Sequence, residues 1–114
     1  MVVTASMDKT AKIYNASTGE CTMTLRGHTD LLLSAVFSHG GDVLTASEDC
    51  TAKLWDTVTG KCLLTCVGHE MALTALQLHQ GGLFTSSCDG TAKRCPMYDH
   101  MYGVAVWVIP VRWC

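Results

Sequence analysis

The sequence predicts an all-β chain built from four-stranded antiparallel units, and three observations carry that prediction. A block of residues recurs along the chain with a period near 40. Between the recurrences lie short apolar stretches, each bounded by Gly, Asp, Asn or Ser at turn positions. Hydrophobic residues make up 48% of the 114 positions and charged residues only 16%, so the chain can bury a core.

The elements follow in order from the repeat. Thr4 to Asn15 returns as Thr45 to Asp56, and a third copy begins at Thr85 and runs to Lys93. Ser6 and Ser47 are 41 positions apart, Ser47 and Ser87 are 40 apart, and Gly27-His28 returns 41 positions later as Gly68-His69. Thr18-Gly19-Glu20-Cys21 is echoed by Thr59-Gly60-Lys61-Cys62. Self-similarity at one fixed period marks stacked repeat units. Within the middle period, Leu31 to Ser38 reads as a strand ended by His39-Gly40-Gly41. Asp42 to Ser47 reads as a second strand, turning at Glu48-Asp49-Cys50. Thr51 to Asp56 is the third, closed by Thr59-Gly60, and Lys61 to Val67 is the fourth. Four antiparallel strands in about 40 residues form the blade of a β-propeller.

The division expected is a partial blade over 1–27, a complete blade over 28–68, a partial blade over 69–96 and a divergent tail over 97–114. The fold is therefore an incomplete β-propeller. Met1 falls at the start of a second strand, so the first blade lacks its opening strand and its histidine. In the third copy Arg94 replaces the apolar Ile13 and Leu54 of the others. Pro96 stands at a strand position, where it removes a ladder donor. The loss of pattern after Lys93 is abrupt, which points to a tail of separate origin, from a frame change, an alternative exon or a misplaced gene boundary; the alternative is that Gly103 to Val108 supplies a replacement fourth strand.

The glycine-histidine pair, the Ser-x-Asp-x-Thr turn and the Trp55-Asp56 dipeptide resemble the WD-repeat (WD40) family over residues 1 to about 93. That resemblance implies blades packed round a central channel and loops presented to partners. It also implies one hydrogen-bonded network per blade, built from a histidine before the first strand, a serine on the second, an aspartate in the next turn and a tryptophan on the third. The middle copy supplies His28, Ser47, Asp49 and Trp55. The third has His69, Ser87 and Asp89, with Cys95 in the tryptophan place, and the first has Ser6 and Asp8, with Tyr14 there. Partner contacts implied by the family fall on Asp30 and Met71 after the glycine-histidine pair, and on Met7, Glu48 and Cys88 in the turn between second and third strands. These five differ among the copies while the framework around them repeats.

Serine, histidine and aspartate together resemble a nucleophile, a base and its orienter. A serine inside a strand between packed faces is closed to substrate, however, and one active site needs no copy per blade. The expected role is structural, each member satisfying another's buried polar group, and no enzyme activity is expected. Cys62 and Cys66 have a ligand-like spacing, but four steps of strand span about 13 Å. Two thiolates on one zinc sit about 4 Å apart, given zinc–sulfur bonds of about 2.3 Å. His39 and His79 occupy matching turn positions, and Gly40-Gly41 and Gly81-Gly82 read as hairpin turns, not as a phosphate loop. No cofactor and no metal are expected.

The formal charge of −2 and pI of about 6.1 give no basic footprint, so neither nucleic acid nor membrane is an expected partner. Met1 to Asp8 has no secretory character, and Gly103 to Val111 is about half the length that spans a bilayer. Seven cysteines at uneven spacing read as reduced thiols, which favours cytoplasm or nucleus. The Asn15-Ala16-Ser17 sequon then goes unused.

The function expected is a non-catalytic protein–protein interaction scaffold whose partners are other proteins. The alternative is a fragment of a larger WD-repeat protein, a recruiting or regulatory part of an enzyme complex with no independent activity. Too few blades are present to close a ring, so self-association through open blade edges is expected.

Overall fold

Turn chemistry sets the strand boundaries. In the middle blade the Ser47 hydroxyl accepts the Asp49 N–H at 3.0 Å, and Asp49 Oδ1 accepts the Thr51 N–H at 2.9 Å. The residue between, Cys50, adopts φ 74°; Lys9 (74°) and Gly90 (83°) occupy the same left-handed position in the other two turns. On the opposite side of the blades, Asn15 and Asp56 each cap a wider turn with Oδ1, accepting from Ser17 at 2.8 Å and from Val58 at 2.7 Å. Gly19 and Gly60, at φ 75° and 77°, close those turns.

The structure, a computed structural model, describes residues 1–38, 41–67, 69–79, 82–96, 103–106 and 109–112. The described residues form twelve strands and no helix. They are β1 (Val2–Ala5), β2 (Thr10–Tyr14), β3 (Cys21–Arg26), β4 (Leu32–Phe37), β5 (Val43–Ser47), β6 (Ala52–Trp55), β7 (Cys62–Val67), β8 (Leu73–His79), β9 (Gly82–Ser87), β10 (Thr91–Pro96), β11 (Gly103–Val106) and β12 (Ile109–Arg112). The four strands expected in the middle repeat are β4 to β7, with every end within one residue of its expected place.

Three sheets result, ordered β1-β2-β3, β11-β7-β6-β5-β4 and β12-β10-β9-β8. All pairings are antiparallel except β11 with β7. The sheets stack as blades 1, 2 and 3, and the described residues form an incomplete propeller with no closed barrel among them.

Two apolar layers hold the stack. Ala11, Ile13 and Leu25 of blade 1 meet Leu32, Val43 and Trp55 of blade 2. Leu44, Ala46, Ala52, Leu64 and Cys66 of blade 2 meet Leu73 and Leu83 of blade 3. Side chains alternate across a strand, so β5 sends Val43 one way and Leu44 the other, and all five of its residues are buried. Burying each large aliphatic side chain here contributes about 1.5–3 kcal/mol.

The tail differs from expectation. The strand beside β10 is Ile109–Arg112, whereas Gly103–Val106 lies parallel to β7 on the edge of blade 2. The third sheet thereby reaches four strands, with its outermost drawn from the tail. Which of two short apolar runs meets which edge is a non-local choice that alternation alone cannot make. Pro96 does not break β10; it is that strand's last residue, opposite Gly82.

Candidate functional site

The polar network of blade 2 is threaded by a residue other than the expected serine. Asp49, a carboxylate, can only accept, so His28 Nδ1 donates to its Oδ2 at 2.7 Å. His28 Nε2 pairs with the Thr45 hydroxyl at 2.6 Å, and the Trp55 Nε1–H donates to the same Thr45 oxygen at 2.9 Å. Trp55, Thr45, His28 and Asp49 form one continuous chain of hydrogen bonds running from β6 across β5 to the turn. Thr45 is 0% exposed and Trp55 1%, so each bond satisfies a group with no water to turn to.

Ser47 lies one link away. Its hydroxyl donates to the carbonyls of Leu31 (2.9 Å) and Asp30 (3.1 Å) and accepts from Asp49 N–H, bonding the turn to the loop that follows His28. Blade 3 repeats the arrangement. His69 Nδ1 donates to Asp89 at 2.9 Å, His69 Nε2 pairs with Thr85 Oγ1 at 2.8 Å, and Ser87 donates to the Met71 carbonyl at 3.0 Å. In blade 1, Asp8 bonds the backbone and hydroxyl of Thr10, and Ser6 accepts from the Asp8 N–H at 3.2 Å. Tyr14, in the tryptophan place, is half-buried.

Sequence reasoning missed Thr45 and Thr85. The signal was present, since Thr4, Thr45 and Thr85 recur with the same period as the serines two residues on. Period-two alternation puts both on one face, and the position opposite Lys53, diagonal to Trp55, is the threonine's. The side chains of His79 and Cys95, together with His39, Gly40, Gly68, Gly81, Trp107 and Val108, lie outside the described residues.

Gly27 explains the glycine of the glycine-histidine pair. Its φ is +151°, and a Cβ there would lie 2.9 Å from Trp55 Cη2. The indole lies against bare backbone, tilted 58° to the His28 ring at a centroid distance of 6.1 Å.

The network's electrostatics are one-sided. Burial by itself would raise the Asp49 carboxyl, but hydrogen bonds from His28 and Thr51, the His28 charge and the Thr29 N–H together hold it well below the usual carboxylate range. Asp89 is held down in the same way, with Thr91, His69 and the Glu70 N–H outweighing burial. Burial raises the Cys50 thiol, and the charges of Asp49, Asp89 and Asp30 raise it further. Cys50 therefore stays a thiol, and the acidic turns of blades 2 and 3 share one side of the molecule.

In chemical terms Thr45, His28 and Asp49 have the spacing of a nucleophile, base and orienter. A threonine with no exposed surface, whose oxygen already accepts from Trp55, meets no substrate. Cys62 is exposed on β7 whereas Cys66 is buried in the layer against blade 3. Among the described residues no cluster of three His, Cys, Asp or Glu could hold a metal.

Above this framework lies a set of exposed loops. Glu48 N–H donates to the Leu31 carbonyl at 3.0 Å and Cys88 N–H to the Ala72 carbonyl at 3.0 Å, while Leu32 N–H donates to the Ser6 carbonyl at 3.1 Å. These bonds zip each turn between second and third strands to the loop after the adjoining histidine. Met7 (80% exposed), Asp30, Glu48, Met71 (51%) and Cys88 therefore crown the same end of the blades, and all five are exposed.

A family model described as WD domain, G-beta repeat matches residues 19–56 and 60–93, together more than half of the chain. Each match begins before the last strand of one blade and ends with the third strand of the next, β3 to β6 and then nearly all of β7 to β10. The sequence repeat and the structural blade are thus offset by one strand, so every repeat ties two blades together.

Proposed function

Because the chain belongs to the WD domain, G-beta repeat family, we propose that it is a non-catalytic module that holds other proteins on the loop face carrying Met7, Asp30, Glu48, Met71 and Cys88. WD40 repeats are generally protein-interaction scaffolds and typically non-catalytic. The observation that carries the reading is the contrast between layers. The buried layer repeats residue for residue (Thr45 and Thr85, Asp49 and Asp89, His28 and His69), while the exposed layer above it changes in every blade. Framework of that kind holds loops at fixed height, and differing loop residues on rigid supports are how a common fold acquires individual partners. Two exposed methionines amid Asp30, Glu48 and Glu70 fit a partner with apolar and basic side chains. We place this activity in the cytoplasm or nucleus.

The test is affinity capture with quantitative mass spectrometry, comparing the parent with Met7→Lys/Met71→Lys. Val58→Lys serves as the control, an 85% exposed residue in the turn at the opposite end of blade 2. The same proteins should be lost with the methionine pair and kept with the control. Equal recovery from all three would remove the loop face from consideration.

A further inference from the structure

We propose that the outer edge of β7 is a strand-accepting site for an extended, uncharged peptide segment, and that the chain's own Gly103–Val106 occupies it as a built-in competitor. The residues differ from those of the loop face, and the proposal stands apart from that reading.

The three sheets do not treat their outer edges alike. A bare strand edge invites pairing, and charged residues or proline on it discourage that. β3, outermost in blade 1, ends in Arg26, which is exposed. β12, outermost in blade 3, reads Ile109-Pro110-Val111-Arg112, with a proline that offers no N–H and a cation at its end. β7 reads Cys62-Leu63-Leu64-Thr65-Cys66-Val67 and carries neither device. Two positions make the contrast between blades 1 and 2, since Thr22 and Arg26 of β3 recur 41 residues on as Leu63 and Val67. Both replacements are half-buried, whereas Thr22 and Arg26 are exposed. It is this unguarded edge that receives an extra strand, β11, beyond the four of its blade.

The pairing there is unlike the others. Gly103 to Val106 lie opposite Leu64 to Val67 in a parallel ladder, whereas every other pair among the described residues is antiparallel. A tight turn joins only antiparallel neighbours, so a parallel one arrives from elsewhere in the chain. β11 reaches β7 only after the chain has passed through β8, β9 and β10 of blade 3. The segment that lands here, Gly103-Val104-Ala105-Val106, has no charge, no proline and no side chain larger than valine. Backbone hydrogen bonds therefore supply the affinity and the absence of charge supplies the selection, as when a peptide adds to a sheet edge. A short ladder along one edge gains few hydrogen bonds, and ordering its residues costs free energy of similar size. A strand held that way is exchangeable for another segment of like chemistry. The ligand class is thus an extended peptide of small apolar residues running parallel to β7.

The experiment opens the edge and offers it a peptide. Val104→Pro/Val106→Pro is made in the full chain, either proline alone serving if the pair prevents folding, with far-UV circular dichroism and a urea midpoint verifying the fold. Deuterium uptake over residues 62–67 should rise in the opened variant, while uptake over residues 21–26 of β3 stays at the parent's level. A fluorescein-labelled peptide with the sequence of Met101 to Val108 is then titrated by anisotropy. It should bind the opened variant at least about tenfold more tightly than the parent, and adding Val67→Arg, the residue β3 carries at that place, should undo the gain. Equal uptake over 62–67 in parent and opened variant overturns the occupancy by Gly103–Val106. A peptide that binds both alike, or that is indifferent to Val67→Arg, overturns the strand-accepting edge. An opened variant that dimerises in sedimentation velocity and excludes the peptide makes the occupant a second copy, and that too overturns the peptide ligand.

Discussion

Thr45→Val is the most informative single change. Valine keeps the branched shape and removes the one oxygen that serves both His28 Nε2 and Trp55 Nε1. Both partners stay where they are, held by Asp49 and by the packing of the indole against Gly27. Two buried polar groups are then left unsatisfied, each costing about 1–3 kcal/mol, for a total of about 2–6 kcal/mol. That is a large share of a domain stability of about 5–15 kcal/mol. Thr85→Val removes the hydroxyl paired with His69 Nε2, and Cys95 stands in the tryptophan place of the third copy, so the cost should be smaller, about 1–3 kcal/mol. Thr45→Ser keeps the hydroxyl and loses a methyl, at about 1 kcal/mol. Urea unfolding followed by far-UV circular dichroism, with slopes compared so that only midpoint shifts are read as stability, measures all three. The double variant Thr45→Val/Trp55→Phe adds a check, since phenylalanine leaves no N–H to orphan and the two losses should sum to less than their parts. A Thr45→Val protein as stable as Thr45→Ser, or losing no more than Thr85→Val, would refute the conclusion that the Thr45 oxygen satisfies both His28 and Trp55.

Three further outcomes are expected. Gly27→Ala should cost about 1–3 kcal/mol from the contact with the indole and the unfavourable φ, and Trp55→Phe, with its shorter ring, should recover part of that loss in a double-mutant cycle. Gly90→Ala should cost about 1 kcal/mol from the left-handed backbone alone, since open space surrounds the new Cβ, while Cys50→Gly in the matching turn should be neutral or stabilising. Acid should unfold the protein through its turns. Asp49 and Asp89 have folded values depressed below the unfolded value of about 3.9, so their contribution is fully present above that pH and is lost as pH falls through it toward the folded values. A urea midpoint that is flat from neutral pH to about 5 and then falls, with a shallower fall in Asp49→Asn, is the expected profile; identical slopes in the two proteins would contradict it.

Much of this molecule was legible in the sequence because its information is local and repeated. Turns that need an Asp side chain and a left-handed residue announce themselves, and strands bounded by such turns can be counted. Period 41 then says that the counted strands form like units. His28, Asp49 and Trp55 were placed in one network by the resemblance to the WD-repeat family. Thr45 was not, because Thr45 and Ser47 share a face and both carry a hydroxyl. Only the register of β5 against β6 decides that the first reaches the indole while the second reaches the loop carbonyls. The tail shows the same limit. Alternation in Gly103 to Val106 spoke for a strand, yet its partner is β7 of blade 2 and the outermost place in blade 3 goes to Ile109–Arg112. Strand pairing over long sequence separations depends on which edges packing leaves open, and that is a property of the assembled stack. Arg94 departs from the apolar residue of the other copies, and the register that sets it in a row with Gln77 and Phe84 comes from the pairing of β8, β9 and β10 and not from the repeat.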